Sequence, residues 1–271
     1  MRRYSLAHLT TLDLPPPQLV SIARAAGYDY VGLRLLPSAP GGLFYDLVAD
    51  AAMRRETKTR LKETGIEVFD VEIIRLGPEF QVATILPFLD VAAALGARAV
   101  LVAGDDPDPP RLAASYAAFC EAASVYGLSG DIEFMPWTKI PDIASARRLV
   151  TDAGTPANAG ILVDALHYAR SAGGPEDVAG IPRHLLHYAQ ICDAPAAIPA
   201  SDEELIFAAR QERLLPGKGG IDIVAMLNAL PPDLPLSVEL PNYRLAPRRG
   251  SLNWAKDCLQ AARHIVGGVS A

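Results

Sequence analysis

Short apolar runs alternate with amphipathic stretches from one end of the chain to the other. Residues 4–9, 30–36, 66–76, 99–103, 131–135, 160–163, 185–191 and 236–240 read as strands. Residues 15–26, 51–64, 80–95, 111–126, 143–153, 221–230 and 252–266 carry helical spacing, and 175–180 allows at most a short helix. Helical stretches stop directly before Gly27, Gly65, Gly96, Gly127 and Gly154. Glycine is the usual residue just past a helix C-terminus, where the backbone turns left-handed. The strands are nearly continuous in apolar residues, as parallel strands buried on both faces should be.

Eight such βα units in 271 residues predict one α/β domain, residues 1–271, folded as a (β/α)8 TIM barrel. The rival is a doubly wound open sheet, which more often has about five to seven strands and a glycine-rich first turn. Here the turn after the first strand reads HLTTLDLPPP and holds no glycine.

A barrel of this kind keeps its active site at the C-terminal ends of its strands. Those ends are unusually polar in the second half of the chain. Strand five closes on Glu133 in IEFMPW, strand six on Asp164 in LVDALH, strand seven carries Gln190 and Asp193 in QICD, and strand eight ends on Glu239 in VELPN. Four successive strands therefore aim oxygen-bearing side chains at one mouth. Crowding three carboxylates in a partly dry pocket is costly unless a cation offsets them. A divalent metal meets that need, and an oxygen-rich donor set favours Mn2+ or Mg2+ over Zn2+.

Composition narrows the chemistry. The formal charge is −6 and there is no block of Lys or Arg, which argues against nucleic acid or an anionic membrane as partner. No apolar run approaches the roughly 18 to 20 residues of a spanning helix. The apolar stretch in MRRYSLAHLTTLDLPPP is interrupted too soon for a signal peptide. Three widely spaced cysteines, Cys120, Cys192 and Cys258, suggest reduced, packed thiols and a cytoplasmic location.

The glutamate of strand five, the D-x-x-H of Asp164 and His167, the Q-x-x-D of Gln190 and Asp193, the PGKGGID of residues 216–222 and Glu239 together resemble the xylose isomerase-like barrels, a family that includes sugar phosphate isomerases and epimerases. The resemblance covers essentially the whole chain. It implies a metal held by Glu133, Asp164, Gln190 and Glu239, with the two glutamates doubling as acid and base. It implies that His167 touches the substrate. An arginine shortly before PGxG often binds substrate in this family, which points to Arg213, with Arg210 as its competitor; both are expected in the loop after strand seven. The family commonly has His where this chain has Gln190. A glutamine there resembles the 3-dehydroshikimate dehydratase branch, a set of metal-dependent lyases. The expected activity is thus isomerisation or epimerisation of a keto-sugar, sugar phosphate or similar hydroxy-carbonyl metabolite, with dehydration as the alternative.

Other candidates rest on position. His8 ends strand one and is a candidate for the pocket lining, as is Asp193 at the mouth. Arg34 and Glu72 lie on neighbouring strands; they read equally as a buried pair or as a pocket floor in which Arg34 holds a substrate carboxylate or hydroxyl. His184 and His187 sit at the start of strand seven, away from the mouth, and read as structural. The expected partner is a small-molecule substrate, with no nucleic acid and no membrane, and a homodimer is the assembly considered. Endonuclease IV-type enzymes share this barrel, but their trinuclear zinc site needs many histidines and this chain has five. A barrel that only binds a metabolite would not need carboxylates on both sides of a metal.

Overall fold

The alternation closes into a ring. In the computed structural model, which describes residues 2–268, eight parallel strands pair in sequence order and the last pairs with the first. They are β1 (Tyr4–Leu6), β2 (Tyr30–Arg34), β3 (Glu67–Leu76), β4 (Ala99–Gly104), β5 (Ser129–Glu133), β6 (Ala159–Asp164), β7 (Ala189–Ile191) and β8 (Leu236–Val238). Closure is set by Tyr4 opposite Leu236 and Leu6 opposite Val238. No helix among the described residues is long and apolar enough to cross a membrane.

Local chemistry fixes the helices. α1 (Pro16–Ala26) begins with prolines in its first turn and ends at Gly27, with φ of 92°. α2 (Ala51–Thr64) is capped by the Asp50 carboxylate and ends at Gly65, with φ of 71°. α3 (Val82–Ala94), α4 (Pro109–Val125) and α5 (Ile143–Asp152) follow in turn, and aspartates cap α4 and α5 by accepting backbone N–H groups of the first turn. Apolar faces of these helices pack against outward-facing strand residues such as Leu33, Val71, Val100, Ile161 and Val238. A second, smaller cluster of Phe69, Leu101, Leu162 and Tyr188 fills the inside of the barrel below the mouth. All three cysteines are free and buried.

The structure corrects several element boundaries. Short helices α6 (Ala165–Arg170), α8 (Asp202–Gln211) and α10 (Leu245–Arg249) stand where no helix is expected, alongside α7 (Pro175–Ala179), α9 (Ile223–Ala229) and α11 (Ser251–Gly267). Arg210 therefore lies on α8 and not in a loop; Arg213 does follow in the chain beyond it. The first strand stops at Leu6, and His8–Thr11 form a 3-10 turn. The seventh starts only at Ala189, after a 3-10 turn over Arg183–Leu185.

Candidate metal centre and active site

Three strand ends bring Glu133, Asp164 and Glu239 together. All are buried, and one oxygen from each lies within 4.8 Å of the others. The D-x-x-H spacing explains how Asp164 is aimed. Its Oδ1 caps α6, accepting the N–H groups of Leu166 at 2.8 Å and His167 at 3.0 Å. That leaves Oδ2 turned into the mouth. Gln190 comes from β7, and its amide end stands 2.8 Å from Glu133 Oε1 and 3.3 Å from Asp164 Oδ2. With NH2 inward it donates to both. With the carbonyl inward it adds a fourth oxygen to the cluster, an arrangement only a cation between them makes favourable.

The cluster contains one fixed positive charge. Arg213 is 2% exposed, and its Nη1 donates to Asp164 Oδ2 at 2.7 Å while Nη2 forms an ion pair with Glu239 Oε2 at 2.8 Å. Its Nε donates to the Ala209 carbonyl at 2.8 Å, and Nη1 also approaches the Glu239 carbonyl at 3.3 Å. The resemblance implies that Arg213 binds substrate. The structure instead commits its guanidinium to two of the expected ligands.

Three carboxylates and one guanidinium leave the charge uneven. Burial pushes Glu133 well above the usual carboxylate range, and Glu239 and Asp164 push it further. Burial also raises Glu239, to about 7, against the pull of Arg213. Asp164 feels the same burial, yet the Arg213 charge, His167 and the hydrogen bonds it accepts together outweigh it, and the group lies below its ordinary value. Burial lowers His167 to about 4, so its approach to Glu133 Oε1 at 3.8 Å is that of a neutral imidazole and not an ion pair. Glu133 thus has no cationic partner at ion-pair distance. That deficit, with three carboxylate oxygens and an amide converging, fits a divalent cation held by Glu133, Asp164, Gln190 and Glu239.

A narrow cavity opens above the cluster, lined by Glu133, His167, Arg213 and Glu239 and by Arg34, Glu72, Arg75 and Arg210. The Trp137 ring meets the His167 ring edge-on at 5.1 Å and forms one wall. His167 Nδ1 is buried and makes no hydrogen bond. Arg34 and Glu72 are both a pair and part of the lining, with Nη2 to Oε2 at 2.5 Å. Sequence reasoning missed Trp137 and Arg75; the position of Trp137, four residues past Glu133 in the β5–α5 loop, was the available signal.

Two candidates are directed elsewhere. His8 is wholly buried, its Nδ1 accepts the Arg34 N–H at 2.9 Å, and its Nε2 is 2.9 Å from the Leu14 carbonyl. Burial holds it neutral, lowered to about 4. Both ring nitrogens are occupied, so His8 braces the strand that carries Arg34 and does not line the cavity. Asp193 is occupied likewise. Its carboxylate accepts the N–H groups of Ala194, Gly217, Gly219 and Ile221 at 2.8 to 3.1 Å, pinning the PGKGG loop. A side chain at Gly219 would run into Asp193 and the Ala194 carbonyl, which is why the loop is glycine-rich.

The sequence profile of the xylose isomerase-like TIM-barrel family matches residues 20–263. The chain belongs to this family. Among curated proteins no sequence is significantly similar. Solved structures share the fold. An IOLI protein with a bound zinc atom is 17% identical, with a TM-score of 0.79 over 99% of both chains. A D-allulose 3-epimerase from Methylomonas sp. is 16% identical, with a TM-score of 0.72 over 97% of this chain and 98% of that one. The probable 3-DHS dehydratase AsbF from Bacillus anthracis is 13% identical, with a TM-score of 0.73 over 95% and 98%. A xylose isomerase-like TIM barrel/4-hydroxyphenylpyruvate dioxygenase fusion protein is 23% identical over 97% of this chain, with a TM-score of 0.79, and this chain spans 42% of its length. At these identities the likeness establishes the fold.

Proposed function

We propose that this barrel is a divalent-metal-dependent isomerase or epimerase of a small hydroxy-carbonyl metabolite. The observation that carries the reading is the convergence of Glu133, Asp164 and Glu239 at the floor of one cavity, with the Gln190 amide against two of them. Glu133, Asp164, Gln190 and Glu239 hold the ion, with Mn2+ or Mg2+ preferred by the oxygen donors. The bound cation supplies stabilisation of negative charge on a substrate oxygen.

The chain's own residues move the proton. One of the two glutamates, Glu133 or Glu239, takes the proton from the carbon beside the substrate carbonyl, and the electron pair passes to the carbonyl oxygen. The other glutamate returns a proton to the opposite face or to the neighbouring carbon. Neutral His167 donates a hydrogen bond to a substrate hydroxyl, and the Trp137 wall excludes water. Arg213 keeps Asp164 and Glu239 aligned throughout.

Dehydration is the second reading, favoured by Gln190 at the strand-seven position and by the dehydratase among the structural neighbours. The same first proton is removed, and a β-hydroxyl then leaves as water with a proton supplied by His167 or a glutamate. Incubation with Mn2+ or Mg2+, keto-sugars and 3-dehydroshikimate in D2O separates the two. Deuterium uptake at the substrate carbon marks isomerase chemistry, and a new ultraviolet-absorbing enone or aromatic product marks dehydration. Glu133→Gln and Glu239→Gln should each slow turnover at least about a hundredfold. Near-normal turnover in both variants would rule the two-glutamate mechanism out.

A further inference from the structure

The rim of the cavity carries one positive charge that its own residues do not balance. Arg34, Arg75 and Arg210 converge there from β2, β3 and α8. Arg34 is engaged by Glu72. Arg75 is engaged by Asp105 and by the Ser38 carbonyl, the latter at 3.0 Å. Arg210 is half-buried, and the charges that act on it are those of Arg75 and Arg34. No ion pair to it forms among the described residues; Asp13 lines the groove on its outer side but makes none. A guanidinium left half-desolvated beside two others is unfavourable until an anion reaches it.

We infer that Arg210, backed by Arg34 and Arg75, receives a carboxylate of the substrate, so that the substrate is a hydroxy-carbonyl compound bearing an acid group and not a neutral sugar. The inference rests on the reading of this cavity as the substrate site. Charge balance selects the group. The Arg34–Glu72 and Arg75–Asp105 pairs are each neutral, which leaves a single charge to meet. A carboxylate brings one negative charge, whereas a phosphate monoester brings about 1.5 to 2 at neutral pH. The planar guanidinium fork also matches a carboxylate in bidentate fashion. Arg213 does not serve this purpose, because its charge is already paired with Asp164 and Glu239 and its Nε donates to the Ala209 carbonyl. The resulting site has a polarity: the acid end of the substrate at the rim under α8, the reacting carbon at the floor between the glutamates.

The test uses trifluoroacetate, a small monoanionic carboxylate, followed by fluorine NMR on the full chain without added metal, so that binding to a cation cannot contribute. Saturable line broadening is expected in the wild type. Acetate should reverse it, inorganic phosphate should do so less well, and glycerol not at all. Arg210→Gln should weaken binding at least about tenfold, while Arg55→Gln, on the exposed face of α2, should leave it unchanged. No saturable binding in the wild type, or equal binding in Arg210→Gln, overturns the inference; stronger competition by phosphate than by acetate overturns the choice of carboxylate. Thermal melting with and without Mn2+ is read on the same samples. If Mn2+ stabilises both proteins equally while only the wild type binds trifluoroacetate, both readings stand. If Mn2+ stabilises neither, the metal centre fails independently of the anion result.

Discussion

Strand β5 carries two buried carboxylates, two residues apart on the same inward face, with opposite fates. Asp131 lies toward the N-terminal end of the barrel and has found its partners within the fold. Ser129 Oγ donates to Oδ2 at 2.6 Å, and His187 Nδ1 stands 2.8 Å from Oδ1. Gly160 next to them has no room for a side chain. Glu133, at the C-terminal end, has a neutral histidine at 3.8 Å and a glutamine amide, and two further carboxylates crowd it. Burial alone therefore says little about purpose. What separates architecture from a reactive site is whether the protein itself completes the electrostatics.

Breaking the cluster at its one internal cation gives the largest expected effect. Arg213→Gln strands Asp164 and Glu239 without a counter-charge and should cost about 3–5 kcal/mol in chemical denaturation without metal. Mn2+ should then stabilise this variant more than it stabilises the wild type, because the ion supplies the charge that was removed. An unchanged denaturation midpoint without metal would show that Arg213 is not the counter-ion of the cluster.

The two carboxylates of β5 should respond to the same substitution in opposite directions. Asp131→Asn disturbs a satisfied group and should destabilise by about 1–3 kcal/mol. Glu133→Gln replaces a buried carboxyl that has no cationic partner and should leave the metal-free protein as stable or more so, while abolishing stabilisation by Mn2+. Equal losses in both variants would erase the distinction.

The smallest effect is a pH dependence at the quiet end. Burial opposes the charge on His187, but the hydrogen bond to Asp131 and the charge of that carboxylate together prevail and raise its pKa above 6.5; nearby Arg183 acts against this. Folding therefore gains from the protonated imidazole below the unfolded value, and the gain is lost as pH rises through the folded value. Wild type should lose about 1 kcal/mol or less over that window relative to His187→Gln. Chemical denaturation as a function of pH measures it, and parallel curves for the two proteins would count against the pairing.

Much of this was legible in the chain. The glycine stops and the apolar strand runs carried the barrel, because both signals are local. The acidic strand ends carried the cluster, because a barrel mouth collects whatever ends its strands. Helix α8 was less visible, although Ser201 and the acidic DEE that follows form an N-terminal signature. Asp193 shows what spacing leaves open. It lies three residues past Gln190, and an odd step along a strand reverses the side-chain direction. Its role was thus partly readable. That of Arg213 was not, since the distance from PGxG fixes its place in the chain but not which carboxylates its guanidinium finds.

The four backbone N–H groups gathered by Asp193 have a dynamic consequence. Three of them, from Gly217, Gly219 and Ile221, tie the end of β7 to the loop that leads into α9 and restrain this side of the mouth. Amide hydrogen exchange would register the restraint as slow exchange at Gly217, Gly219 and Ile221.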